Sequence, residues 1–354
     1  MLRKELLAEY YHKGFKKRKR QIARNLAKHK DKRANMEFVP RDLETLSDGS
    51  LFLQERSENF HIYYSFKQAC TTGLYALVAD GVHSPQPKEL GRGSQLYCIR
   101  GVSGNGTEVP LVFAITARKT KTIYKRIFGH LKDQLGRFGA RRDLRIVLDY
   151  EKAAINAAKS LFREATIEGC AFHMAQAKSQ DRRIARWWET LKGLVFLPKR
   201  LRSAVRALRG PPVPRGHQSY RKCQSFLRYL RTTWMSGSFK DLWCKWGIKE
   251  LRTTNLAEAF HSSLRRMLNC DHPPLATLIK ALKVLDLEAK CALHRLDRMP
   301  HEGKELRKRD ALRRQRIDEE MANFEILYRS RRVQDQHVER FCLRMARFVS
   351  GKTN

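Results

Sequence analysis

The chain has 354 residues, with 72 Lys and Arg against 36 Asp and Glu and a formal net charge of +36. Such a length can bury a large core and accommodates an enzyme, while so much positive charge repels cationic partners and draws the protein to polyanions, nucleic acid first among them. A membrane is the competing partner, but no apolar run of about eighteen residues occurs and the N-terminus has no apolar signal segment, so the sequence predicts a soluble, intracellular protein with no membrane partner.

The first 36 residues hold thirteen Lys or Arg against three acids. The run Lys16, Lys17, Arg18, Lys19 and Arg20 makes this segment a candidate basic arm. It reads as a solvated tail, as a nuclear-import signal or as a set of phosphate contacts. From residue 60 the texture changes to short apolar runs between turn signals, at 61–66, 74–80, 95–101 and 110–116. Asn105-Gly106 between the last two predicts a hairpin. Ile123, Ile127, Leu131 and Leu135 then recur at helical spacing. A strand at 143–149, a helix from 150, a short strand at 166–172 and a helix from 173 follow. This alternation predicts right-handed crossovers onto a sheet covered on both faces, an α/β fold.

Residues 174–250 read as helical and loop-rich, and all five tryptophans fall there, either as packing or as a stacking surface for unpaired bases. The remainder from 255 to 350 is helical and basic, densest in the stretch 305–316. The eight cysteines include no CxxC pair, which argues for reduced thiols and against both a disulfide framework and a four-cysteine zinc site.

Three carboxylates stand out by position. Asp80 closes the apolar run at 74–80, where a charge must be paired, metal-bound or at the exposed end of a strand. The following Gly81 equally allows a plain turn. Asp149 closes the run at 143–149 in the same way, and its alternative is to cap the next helix. Glu258 stands three residues after Asn255, the Asn form of a capping box, which would have it serve the helix backbone. It opens a stripe of Leu256, Phe260, Leu264 and Met267. Taken together, an acid at each of two strand ends and a third on a distant helix is what two-metal phosphoryl chemistry requires. Mg2+ and Mn2+ prefer oxygen donors, and a bridging Asp can hold two ions. His83, three residues past Asp80, is a candidate phosphate contact or simply an exposed ring.

The ordered motifs DGVH from Asp80, PLVFAIT from Pro110, LDYEKAAINA from Leu148, GCAFHMAQA from Gly169 and TTNLAEAFHSSLR from Thr253 resemble the Mutator-like element (MULE) transposase domain, a DDE recombinase with an RNase H-like fold, over about residues 70–270. The resemblance implies an RNase H-like mixed sheet flanked by helices, with Asp80, Asp149 and Glu258 as catalytic, Mg2+- or Mn2+-binding residues. It further implies a helical insertion between the second Asp and the Glu. The domains expected are a basic arm and lead-in at 1–59, the first part of the core at 60–173, the insertion at 174–250, the last part of the core at 251–290 and a basic helical region at 291–354. A C-x2-H element of the family corresponds to Cys170 and His173. Zinc there would need two further ligands, for which His217, Cys223, His261 and Cys270 are available.

The function implied is a nuclear transposase that hydrolyses phosphodiester bonds at transposon ends and joins the freed 3′-hydroxyl to target DNA, working as a homo-oligomer. Lys16 to Arg20, Arg265, Arg266 and the C-terminal helices would hold phosphates. Relatives commonly carry a zinc-binding DNA-recognition domain before the catalytic region, and no such motif is read before residue 60. The alternative is a truncated or host-retained derivative that binds DNA without cutting it. A third possibility is an RNase H-like nuclease acting on RNA or structured DNA.

Overall fold

The computed structural model describes residues 31–91, 93–104, 106–170, 181–252, 255–298, 308–330 and 332–349, without the side chains of 68, 69, 255–258 and 295–297. The basic run at 16–20 and His173 lie outside the described residues. In chain order the elements are α1 (Arg41–Glu44), β1 (Leu53–Arg56), β2 (Phe60–Tyr63), β3 (Leu74–Val82), β4 (Gln95–Ser103), β5 (Glu108–Thr116) and α2 (Lys121–Arg137). There follow β6 (Arg145–Leu148), α3 (Lys152–Leu161), β7 (Thr166–Gly169), α4 (Arg182–Gly193) and α5 (Tyr220–Tyr229). The last four are α6 (Asn255–Leu268), α7 (Leu275–Arg298), α8 (Lys308–Arg329) and α9 (Asp335–Val349). Among the described residues, no helix is long and apolar enough to cross a membrane.

The chain forms two compact units, each built from two segments. The first comprises Met1–Ile167 with Thr254–Lys304, the second Glu168–Thr253 with Glu305–Asn354. In the first, the strands lie in the order β1-β2-β5-β4-β3-β6-β7. Strands β1 to β5 pair antiparallel, and β3 pairs parallel with β6. This mixed sheet with helices on its faces is the α/β, RNase H-like arrangement that the sequence predicts. The β4–β5 hairpin forms as the Asn-Gly signal implies, and Gly106 takes the positive φ of 78° that this residue tolerates.

Alternation along the strands separates two faces. Tyr97 points to one, where it meets Tyr124 and Phe128 of α2 at centroid distances of 5.0 and 6.3 Å. The apolar stripe of α2 is buried as its spacing requires, and Thr120 caps the helix by accepting from the Ile123 N–H. On the other face, Leu96, Cys98, Phe113 and Ile115 join one core with Phe260, Leu264 and Met267 of α6 and Leu278, Ile279 and Leu282 of α7. Phe113 stacks on Phe260 at 5.9 Å. Burial pushes the Cys98 thiol up to about 12, so it is an inert core residue.

In the second unit, Asp181 caps α4 by accepting from the N–H groups of Arg183 and Ile184. Gly193, at the end of α4, permits a close approach to α9. A Cβ there would stand 1.9 Å from the Cys342 carbonyl oxygen. Trp246 packs edge-on against the stacked pair Phe324 and Phe341, and Trp187, Trp234 and Trp243 are buried, so tryptophan serves packing here. Lys245, fully buried, is neutralised by Glu168 at 2.7 Å.

His61 of β2 is a buried ring with a defined tautomer. Its Nε2 faces the Met36 carbonyl at 2.9 Å and must donate, which leaves Nδ1 to accept from the Tyr63 hydroxyl at 2.8 Å. Burial lowers its pKa from 6.5 to about 4. The unfolded chain therefore takes up a proton that the native state refuses. Stability should fall as pH drops from 6.5 to 4, and this residue alone contributes up to roughly 3 kcal/mol of that loss. Urea melts across this window should show the decline, and His61→Gln should shallow it.

Candidate functional site

The parallel ladder between β3 and β6 pairs Ala76 with Arg145 and ends at Ala79 with Leu148. The next residue on each strand is an aspartate. Asp80 and Asp149 therefore each follow the last pair of the parallel ladder, on neighbouring stretches of backbone about 5 Å apart, and β3 itself continues to Val82. Carboxyl ends of adjacent strands are where open α/β sheets present ligand-binding groups. Asp80 is buried and Asp149 partly exposed. The Asp80 carboxylate accepts from the Gly81 N–H at 2.9 Å. The residue at the capping position of α3 is Glu151, whose side chain makes no capping bond.

Helix α6 lies against β3 on the face that carries Asp80. His261 of α6 brings Nδ1 to 3.8 Å from Asp80 Oδ2. Its side chain is nine-tenths buried, and among the described residues Nε2 has no hydrogen-bond partner. Burial first, and then the neighbouring Arg100 and Arg265, lower its pKa to about 4. A neutral imidazole consequently faces the carboxylate. Arg100, on the strand beside Asp80, lies over the Phe260 ring at 5.0 Å and pairs with Glu108 at 3.6 Å. Glu258 belongs to the first turn of α6, one helical turn before His261, so its backbone stands at the correct end of the helix. Its side chain lies outside the described residues, as does that of Asn255.

Beneath the carboxylates, burial drives the Tyr97 hydroxyl well above its ordinary pKa, with Tyr124, Asp149, Asp80 and Glu151 adding to the effect. Tyr124 is raised by the same burial and by Glu151. Glu151 itself pairs with Lys119 at 3.3 Å. Glu151, Tyr97 and Tyr124 have no role in the sequence pattern, and His261 figures there only as an available zinc ligand. The signals that could have found them are the two-residue spacing Asp149-x-Glu151 and the three-residue spacing Glu258-x-x-His261.

Gly81, next to Asp80, leaves room for a neighbour: a Cβ there would stand 2.1 Å from Gln95 Oε1, whose amide donates to the Tyr124 hydroxyl at 2.6 Å. The exposed His83 donates from Nδ1 to the Ser94 carbonyl at 2.7 Å, a local tie. Arg265 is exposed and donates to the Ser84 hydroxyl, and the exposed Arg266 donates to the Ser262 carbonyl. Asp80 and Asp149 offer the oxygen donors that Mg2+ and Mn2+ prefer, so the pair fits such an ion in kind. Among the described residues, no group of three or more His, Cys, Asp and Glu is placed to hold a metal. Cys170 is a buried thiol at the end of β7, and its family partner His173 lies outside the described residues.

The low His261 pKa is directly measurable. In metal-free protein the imidazole 13Cε1 shift should titrate with a midpoint near 4. Arg265→Gln should raise that midpoint by removing a repelling cation. A midpoint at 6.5 or above would contradict the buried, neutral ring described above.

Residues 91–177 match the family model described as the MULE transposase domain. That span contains Asp149 and Cys170, starts after Asp80 and ends before Glu258. No curated protein matches the chain. The chain therefore carries a MULE transposase domain across residues 91–177, on strands and helices of the RNase H-like sheet.

Proposed function

We propose that this chain is a DNA transposase that cuts and joins DNA at a two-metal site formed by Asp80, Asp149 and Glu258. The observation that supports the reading is the parallel register of β3 and β6, whose ladder closes one residue before an aspartate on each segment, with α6 packed against β3. Two adjacent carboxylates repel each other when both are ionised, and a divalent cation relieves that repulsion. Asp80 and Asp149 would bind Mg2+ or Mn2+ from the sheet, and Glu258 would complete the set from the helix. When bound, such ions activate water or a 3′-hydroxyl and stabilise the leaving oxygen.

The remaining tasks fall to the chain's own side chains. His261 is neutral and buried, so it excludes water and steadies the Asp80 carboxylate without competing as a cation. Arg265 and Arg266 are exposed on the same helix and would engage phosphates flanking the reacting one. The net charge of +36 supports DNA as the partner. Nuclear entry through the run at 16–20 and assembly as a homo-oligomer belong to the same reading.

Purified protein incubated with duplex DNA should give Mn2+-dependent cleavage or strand transfer. Asp149→Ala should reduce it on the order of a thousandfold, as loss of a principal catalytic group does, with DNA affinity in the absence of metal unchanged. Binding without any metal-dependent cleavage by the unaltered chain would instead assign it the role of a non-catalytic DNA-binding derivative. Preferential cleavage of RNA or RNA–DNA hybrid would assign it to the nucleases.

A further inference from the structure

Between Thr190 and Lys240 the chain has twelve Lys and Arg and no Asp or Glu, whereas acids amount to about a tenth of the whole sequence. The entire stretch lies in the second unit. Some of its cations have local partners. Lys199 pairs with Asp241 at 2.6 Å and Arg209 with Asp335 at 3.0 Å, Arg202 lies over Trp243, and Arg231 donates to the Leu208 carbonyl. Six others, Arg206, Arg215, Arg221, Lys222, Arg228 and Lys240, are exposed and have no ion-pair partner among the described residues.

Three of the six share α5. Cys223 and Leu227 form the buried side of this helix. Arg221 and Arg228 are seven residues apart, as are Lys222 and Tyr229, so each pair stacks along one line of the outer surface. Tyr229 is 48 % exposed. The outer surface of α5 is thus a cationic strip with an amphipathic ring at its end and no carboxylate to neutralise it. Helices α8 and α9 of the second unit differ in carrying acids among their cations, some of which are paired. Arg314 pairs with Glu250 at 2.9 Å, Arg329 with Glu325 at 2.6 Å and Arg344 with Glu320 at 2.9 Å.

We propose that the outer surface of α5 in the second unit is a sequence-independent binding surface for the phosphodiester backbone of duplex DNA. The proposal rests on the reading of the chain as a DNA transposase and adds a surface distinct from the carboxylate site. Unpaired cations attract a polyanion and release its counterions on contact, while cations already paired with carboxylates contribute little to that exchange. Exposed Arg and Tyr also supply directional donors to phosphate oxygens. A lipid surface fits less well, because exposed large apolar side chains of the kind that insert into an interface are absent from α5, Tyr229 apart.

The test compares two full-length variants with the same change in net charge. One carries Arg221→Gln, Lys222→Gln and Arg228→Gln, and the other Arg314→Gln, Arg329→Gln and Arg344→Gln. Affinity for a fluorescent DNA duplex is measured by anisotropy across KCl concentrations without divalent cations, and thermal melts check that both variants remain folded. The α5 variant should lose roughly 2 to 3 from the slope of log affinity against log salt, about 0.9 per phosphate contact. Its affinity should fall on the order of a hundredfold near 0.15 M salt. The second variant should change the slope by less than about 1. Arg221→Lys with Arg228→Lys should keep the slope of the unaltered chain.

Equal effects of the two triple variants would overturn the proposal by showing that only total charge matters. An α5 variant that loses binding to phosphatidylserine vesicles while keeping its DNA slope would overturn it too. The assay requires no cleavage: unequal slopes uphold the surface even if the carboxylate site proves inert, and equal slopes in a cleaving enzyme remove the surface alone.

Discussion

The parallel pairing of β3 with β6 governs the geometry on which everything at this site depends. Parallel strands run in the same direction, and here the ladder closes one residue before an aspartate on each segment. A slip of one residue would send one carboxylate to the opposite face of the sheet. The register is held on β3's other side by the long antiparallel ladder with β4, which pairs Asp80 with Cys98 and Gly81 with Tyr97. Covering both faces then desolvates the strand ends, with the tyrosine layer of α2 on one side and the Phe260 and His261 turn of α6 on the other.

Much of this was legible in the sequence, for physical reasons that differ from element to element. The runs at 74–80, 95–101 and 110–116 read as strands because buried strands are nearly continuous in apolar residues, and the stripe from Ile123 to Leu135 read as a helix because its buried face repeats at helical spacing. Strand β1 carried no such signal: three of its four residues Leu53–Arg56 are polar, and only Leu53 is buried. The site was legible only in part. A strand-end aspartate followed by a helix is equally a cap in sequence terms, so the sequence alone does not separate those roles. His261 carried only its spacing from Glu258 and its availability as a zinc ligand, since its character comes from burial, from Arg100 on a distant strand and from Arg265 one turn on.

The charge of the protein likewise means more in three dimensions than as a total. Cations of α8 and α9 stand among acids of the same helices, three of them are paired with carboxylates, and Arg252 reaches Asp318 within the same unit. Such surface pairs contribute little to stability and also little to long-range attraction. The stretch between Thr190 and Lys240 gathers twelve cations with no acid among them. Net charge is therefore a poor guide to which surface a polyanion meets, and the local ratio of cations to acids is a better one.

The chain leaves the first unit after Ile167 and returns to it only at Thr254. During synthesis the sheet is complete long before the helices that cover Cys98, Phe113 and Ile115 have left the ribosome. At ordinary elongation rates that apolar face waits on the order of ten seconds for α6 and α7. Any nascent chain of this type must be shielded for that interval or collapse onto its own insertion. The same delay keeps Asp80 and Asp149 apart from α6 until translation is well advanced.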